Sequence, residues 1–239
     1  MVIDLNRASL SDTPLSVAIN AAIEHAESPE ENTRRYLGAS TIGSVCARKV
    51  QYDWMCDPAH PTQTRDIFRR GHLLEELSRQ HFVRARFKFA PSERLAFSAA
   101  GGLFRGHADG ILIDGPELPG VGYPCLWEHK ALGDKGWRGL ERDGIGKAYP
   151  QYLAQVLIYM AYLDVTEHPA IFTAMNANTC ERLHLLVPFD AVQAQAWSDR
   201  AITIIEATRA GELLPRAYDD PQGWRCKICG HRERCWRQP

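Results

Sequence analysis

Two short stretches of the chain hold residue types able to do chemistry on a charged substrate: Gly106-His107-Ala108-Asp109-Gly110 and Trp127-Glu128-His129-Lys130. In a strand, residues two apart project to the same face. Glu128 and Lys130 therefore share one face, and Trp127 and His129 share the other. If the strands carrying the two stretches pair, Asp109 comes beside Glu128. Two carboxylates and an ammonium on one face suit a hard divalent cation, because Mg²⁺ takes a few carboxylate oxygens and retains waters and phosphate oxygens. Such an ion activates water and polarises a phosphoryl group, and a lysine beside it positions or deprotonates that water. An E-x-K spacing by itself also fits a solvated cross-strand ion pair, so the reading depends on what else the chain supplies.

The chain supplies thiols. Cys226-x2-Cys229-x5-Cys235 places three of the seven cysteines within ten residues. The start of the sequence lacks the basic, apolar leader of a secretory signal, and no apolar run approaches the ~18 residues of a membrane span. The expectation is a cytoplasmic protein, where clustered thiols hold metal rather than form disulfides. Thiolate clusters serve Zn²⁺ or an iron–sulfur centre, each normally with four ligands, and spacing alone does not separate the two. Cys46 is the best candidate for the fourth ligand and Cys56 is its rival; Cys125 and Cys180 read as ordinary strand cysteines, small and buried.

Two more sets flank the carboxylates. Arg69-Arg70-Gly71-His72-Leu73-Leu74-Glu75-Glu76 puts acids on a helix ahead of the strands, and Gln155 and Tyr159 lie four apart on one face of an apolar helix. G-x-x-x-E, G-x-x-D, E-x-K and Q-x-x-x-Y, in this order over about residues 36–165, resemble the PD-(D/E)xK nuclease superfamily in its RecB-like exonuclease branch. The resemblance implies an α/β (α+β) fold with a restriction-endonuclease-like core, a central mixed sheet flanked by helices. It also implies Glu75, Asp109 and Glu128 as ligands of Mg²⁺ or Mn²⁺, with the His129 backbone carbonyl as a further ligand. Lys130 would position the attacking water, and Gln155 and Tyr159 would support the site. The family often has His where this chain has Glu75, with His72 and Glu76 as rival ligands here, and the segment between Asp109 and Glu128 holds a Pro/Gly-rich insertion.

One cysteine ahead of the core and C-x2-C-x5-C behind it resemble the iron–sulfur nucleases of that branch, including AddB-type helicase–nucleases and CRISPR-associated exonucleases. The resemblance implies a [4Fe–4S] cluster on Cys46, Cys226, Cys229 and Cys235, joining the two ends of the domain. The activity it implies is that of a bacterial or phage DNA nuclease, an exonuclease rather than an endonuclease, serving recombination, repair or phage DNA processing. DNA that is single-stranded or has free ends would be the substrate, with a recombination or helicase protein as a possible partner. The reading from another class is a non-catalytic nucleic-acid-binding protein with a structural zinc site.

The net charge of −1 argues against indiscriminate binding to a polyanion, but its distribution is uneven. Residues 1–33 carry six acids against one base, and 225–239 carry five bases against one acid. Of 28 bases, 22 are arginine, the residue suited to bidentate phosphate contacts. Arg48, Lys49, Arg69 and Arg70 lie near the proposed site in sequence and are the candidate DNA contacts.

These residues need elements to position them. With 45% apolar and 24% charged residues in 239, the composition is that of a globular protein with a substantial core and excludes a disordered, collagen-like or disulfide-stapled chain. The pattern predicts helices over 13–26, from 40 to about 52, over 64–87, 149–164 and 189–210. It predicts strands over 103–114 and 124–131, a glycine-rich charged loop over 133–148, and a hairpin over 170–187 turning near 176–179. Residues 1–33 read as an N-terminal helix and linker. Residues 34–239 read as one nuclease domain with its core at about 64–190 and cluster-binding segments at about 40–56 and 224–236.

Overall fold

A computed structural model of the chain describes residues 10–27, 35–55 and 62–237. In chain order its elements are α1 (Pro14–Ala26), β1 (Leu37–Gly38), α2 (Ala47–Met55), α3 (Thr62–Arg84), β2 (Lys88–Phe89), β3 (Ala96–Ala99), β4 (Phe104–His107), β5 (Gly110–Asp114) and β6 (Cys125–Leu132). There follow α4 (Asp134–Ala148), α5 (Pro150–Tyr162), β7 (Ala170–Asn176), β8 (Arg182–Val187), α6 (Ala191–Ala210), α7 (Trp224–Lys227) and α8 (Arg232–Arg237), with short 3₁₀ turns between some of them.

The strands form a five-stranded sheet ordered β2-β5-β6-β7-β8 and a three-stranded sheet ordered β1-β4-β3. In the larger sheet only β6 and β7 run parallel. A parallel pair needs a crossover, and α4 and α5 supply it. β7 is buried along its whole length, as its largely apolar sequence demands of a central strand, with Thr173 and Asn176 buried among the apolar residues. One face of β6 packs aromatically: Phe82 of α3 and Phe89 of β2 each lie 5.3 Å from the Trp127 ring. The other face carries Glu128 and lies under α5, against which α6 packs from outside.

Local chemistry sets several of the ends. Thr13 caps α1 by accepting from the Ser16 amide, and Asp190 caps α6 by accepting from that of Gln193. Gly211, at φ 74°, closes α6 in the left-handed conformation that glycine adopts without cost. No helix among the described residues is long and apolar enough to cross a membrane.

Three predicted elements differ from the observed ones. The run 103–114 is not one strand: it breaks after His107 and resumes at Gly110, so that β4 belongs to the small sheet and β5 to the large one. The segment 133–148 is a helix despite its glycines, because Trp137 and Leu140 fall at helical spacing and are buried. Gly144, at φ 70°, kinks it. Finally, the helix expected from residue 40 begins at Ala47 after a 3₁₀ turn over Ala39–Thr41. Gly43 lies between the two and against the start of α5, where a side chain would collide with the Gln151 backbone.

Candidate functional site

The break between β4 and β5 builds the site. β5 pairs with β6 only as far as Gly110 opposite Trp127, so β6 runs on past it with one edge open. Asp109 stands at that break and accepts a hydrogen bond from the His129 amide at 2.7 Å through Oδ2. Within a strand the N–H and C=O of one residue leave on the same edge, so the His129 carbonyl also faces the Asp109 side. Glu128 and Lys130 project together, as the two-residue spacing requires, and Lys130 Nζ lies 2.6 Å from Glu128 Oε1 and 4.0 Å from Asp109 Oδ2. Tyr152 of α5 roofs this group, its ring centroid 5.4 Å from the ammonium.

Glu75 approaches from α3, close enough for its charge to act on Asp109 and Lys130, and its Oε2 is 3.6 Å from His72 Nδ1. His72 itself is exposed. On the far side Gln155 and Tyr159, both buried, meet through a 3.3 Å hydrogen bond from the amide to the phenol oxygen. Gly106 stands where it does because of that ring: a Cβ there would collide with Tyr159 and Phe97. At Gly71, by contrast, a Cβ would meet nothing. Glu75, Asp109, Glu128, Lys130, Gln155 and Tyr159, drawn from α3, the β4–β5 turn, β6 and α5, thus converge on one place.

The electrostatics follow from burial among like charges. Glu128 is fully buried, and desolvation, then the Asp109 charge, pushes its carboxyl well above the usual range. Burial first, and Asp109 second, push Glu75 up as well. Burial alone would depress Lys130, but Glu128 and then Asp109 outweigh it and hold the ammonium charged. The directions agree, because three acids share one cation: the ammonium stays charged and the most buried acid is the hardest to ionise. Burial, and then Glu128, also raise the Tyr159 phenol.

The Glu128 Oε2 atom is buried and meets no donor, which is costly unless something positive satisfies it. Among the described residues no three His, Cys, Asp or Glu side chains are gathered tightly enough to hold an ion as they stand. The donor set nevertheless fits a hard cation in type: carboxylate oxygens from three elements, one of them unsatisfied, beside a backbone carbonyl.

His129 projects to the opposite face from Lys130. Its Nε2 lies 3.0 Å from Ser78 Oγ on α3, and both residues are buried. Burial, then Lys130, lowers the imidazole to about 4. Sequence reasoning passed over Ser78, since one hydroxyl on a long helix makes no pattern.

The second predicted constellation also comes together in part. Cys46, Cys226, Cys229 and Cys235 all line one cavity of about 540 Å³, with Lys49, Asp53, Gln151 and His231. None is in a disulfide. Cys56 lies outside the described residues. The donors suit a thiolate-bound group in number and type, although the thiols are not drawn together as a closed ligand set. Cys125 is buried, as expected, whereas Cys180 is exposed at the β7–β8 turn.

The predicted DNA contacts divide. Arg48 is not available to DNA, contrary to expectation: it is 7% exposed, and its Nε donates at 2.6 Å to the Leu214 carbonyl, so it ties α2 to the chain beyond α6. Lys49 pairs with Asp53 at 2.5 Å, and Arg69 pairs with Glu27 at 2.6 Å and Asp66 at 3.2 Å. Arg70 is exposed on α3, ahead of Glu75.

No family model matches the chain, and no curated protein sequence matches it. Among solved structures it is similar to the alkaline exonuclease LHK-Exo from Laribacter hongkongensis, with a TM-score of 0.51 at 15% identity, over 75% of this chain and 90% of that one. The complex of LHK-Exo with dAMP gives a TM-score of 0.51 at 14% identity, over 74% and 89%. At such identity the likeness is one of fold, and the fold is the restriction-endonuclease-like α/β arrangement expected from the sequence.

Proposed function

We propose that this protein is a metal-dependent DNA nuclease of the PD-(D/E)xK type, acting as an exonuclease in recombination, repair or phage DNA processing. The observation that carries the reading is the convergence of Asp109, Glu128 and Lys130 at the open edge of β6, with Glu75 reaching it from α3. The fold shared with an alkaline exonuclease supports it.

Glu75, Asp109, Glu128 and the His129 carbonyl would hold Mg²⁺ or Mn²⁺. The ion would supply a Lewis acid for the phosphoryl group and a water that ionises near neutral pH. The chain's own groups do the rest. Asp109, fixed by the His129 amide, sets where the carboxylates meet. Lys130 donates from its ammonium to the attacking water or to a non-bridging phosphoryl oxygen, offsetting charge as it builds. Gln155 and Tyr159 back Glu128, and Arg69 and Arg70 lie exposed on the helix that carries Glu75, where a DNA backbone would pass. The four cysteines of the cavity would hold a [4Fe–4S] cluster that pins the C-terminal segment to α2.

Purified protein incubated with Mn²⁺ and 5′- or 3′-labelled single- and double-stranded DNA tests the activity, with iron quantified on the same sample. Metal-dependent degradation is expected, with Lys130→Ala slower by about 10²–10⁴-fold. Salt-sensitive binding without cleavage, zinc in place of iron, or an undiminished Lys130→Ala variant would each overturn the corresponding part of the reading.

A further inference from the structure

The three acids of the site come from three separate elements, and each is tied to His129. Its backbone N–H holds Asp109 at 2.7 Å. Glu128 precedes it on β6. Its side chain crosses to the reverse face of the sheet and meets Ser78 Oγ of α3 at 3.0 Å. Ser78 lies three residues after Glu75 on that same helix, about 4.5 Å along its axis.

The bond has a particular setting. Around it the contact between α3 and β6 is aromatic, with Phe82 against Trp127 at 5.3 Å and against Phe87 at 4.7 Å. Ring contacts of this kind are made over a broad range of distances and angles, and so tolerate small slides and rotations of a helix. A hydrogen bond between two groups 1% and 3% exposed does not, since it weakens steeply with angle and leaves both partners unsatisfied when broken. Ser78 therefore fixes the height and rotation of α3 on the catalytic strand, and with them the reach of Glu75 toward Asp109 and Glu128.

We infer that Ser78 is a positioning residue: through His129 it registers the Glu75 helix against β6 and so sets the affinity of the carboxylate site for its divalent ion. The inference rests on the metal-binding reading of that site.

The test uses the full chain and Mn²⁺ alone, without DNA, with the free ion followed by electron paramagnetic resonance and the metal-free melting temperature recorded beside it. Ser78→Ala is expected to weaken Mn²⁺ binding about tenfold, the range in which groups orienting a metal's ligands act. Ser78→Cys puts a slightly larger side chain with a weaker donor in the same place, so it gives a smaller shift in the same direction and serves if the alanine variant does not fold. Phe82→Leu disturbs the same interface without touching the hydrogen bond; it should lower the melting temperature at least as much while leaving Mn²⁺ affinity at the wild-type level. Wild-type affinity in both Ser78 variants, or equal weakening in Phe82→Leu, overturns the inference. Wild-type protein that binds no Mn²⁺ overturns the metal reading itself, and this one with it.

Discussion

Gly71 and Gly106 occupy equivalent places in two short motifs, each ahead of an acid, yet their surroundings differ completely. At Gly106 the Tyr159 and Phe97 rings fill the space a side chain would need, and Ala39 closes the third side at 3.0 Å. Gly106→Ala must push one of these buried groups aside, and overpacking a filled core costs about 1–3 kcal/mol. Because Tyr159 is the partner of Gln155, cleavage should fall along with stability. Gly71 sits inside α3 with nothing near its missing Cβ, so Gly71→Ala should stabilise by about 0.5–1 kcal/mol by removing glycine's entropy cost in a helix. Denaturant unfolding of the two variants distinguishes the cases. Destabilisation by both, or by neither, would refute this account of the motif glycines.

At the scale of elements, a hydrogen-bonded chain crosses three neighbouring strands: Trp127 Nε1 of β6 donates to Thr173 Oγ1 of β7 at 3.0 Å, and that oxygen lies 3.0 Å from His184 Nδ1 of β8. Indole can only donate, so Thr173 Oγ1 accepts from Trp127 and keeps its own proton and a second lone pair for its bond with His184. Desolvation of the ring, and then Arg182, lower the His184 pKa in the folded protein, by an amount that solvent screens because the residue is itself exposed. The sign follows directly: below the ordinary histidine value the unfolded chain takes up a proton that the folded chain refuses, so this part of the stability is present above about pH 6.5 and is lost as pH falls below it. The melting temperature should drop between about pH 7.5 and about pH 5, and His184→Phe should reduce that drop; an unchanged pH dependence would exclude the relay as its source. None of this was legible in the sequence, where Thr173 and His184 are two polar residues in apolar strands. What was legible depended on period. Glu128, Lys130, Gln155 and Tyr159 lie at spacings that one strand and one helix turn into shared faces, and β7, β8, α5 and α6 follow long patterns. The break at Asp109 lay hidden, because a run continuous in hydrophobicity is shared between two sheets. So did α4, whose glycines outweigh its apolar spacing, and β1 and β2, each two residues long and set by tertiary pairing.

Across the whole molecule, the two ends of the domain meet away from the carboxylates, and cysteines are not all that joins them. Gln51 of α2, fully buried, donates to the Glu212 carbonyl at 2.9 Å and accepts from the Leu214 amide at 2.7 Å. Asp53, one turn of α2 beyond Lys49, meets His231 at 2.7 Å, and Arg216 donates to the Cys235 carbonyl at 2.6 Å. A metal group on Cys46 and the three tail thiols would close the same loop of about 180 residues that these hydrogen bonds close. Two ties on one closure are partly redundant: while either holds, the tail keeps its place, and losing both frees it. Cys235→Ala should therefore be colourless near 400 nm yet leave residues 224–237 protected from hydrogen exchange, provided Asp53 is intact. Asp53→Ala should be coloured and likewise protected, although it leaves the buried His231 ring without its carboxylate partner at a cost of about 1–3 kcal/mol. In the double variant the tail amides should exchange rapidly while β6 and β7 remain protected, a loss greater than the two single effects together. Strict additivity would mean that the hydrogen bonds and the thiols do not share one closure. Free exchange of the tail in Cys235→Ala alone would leave the cluster as the tie that matters.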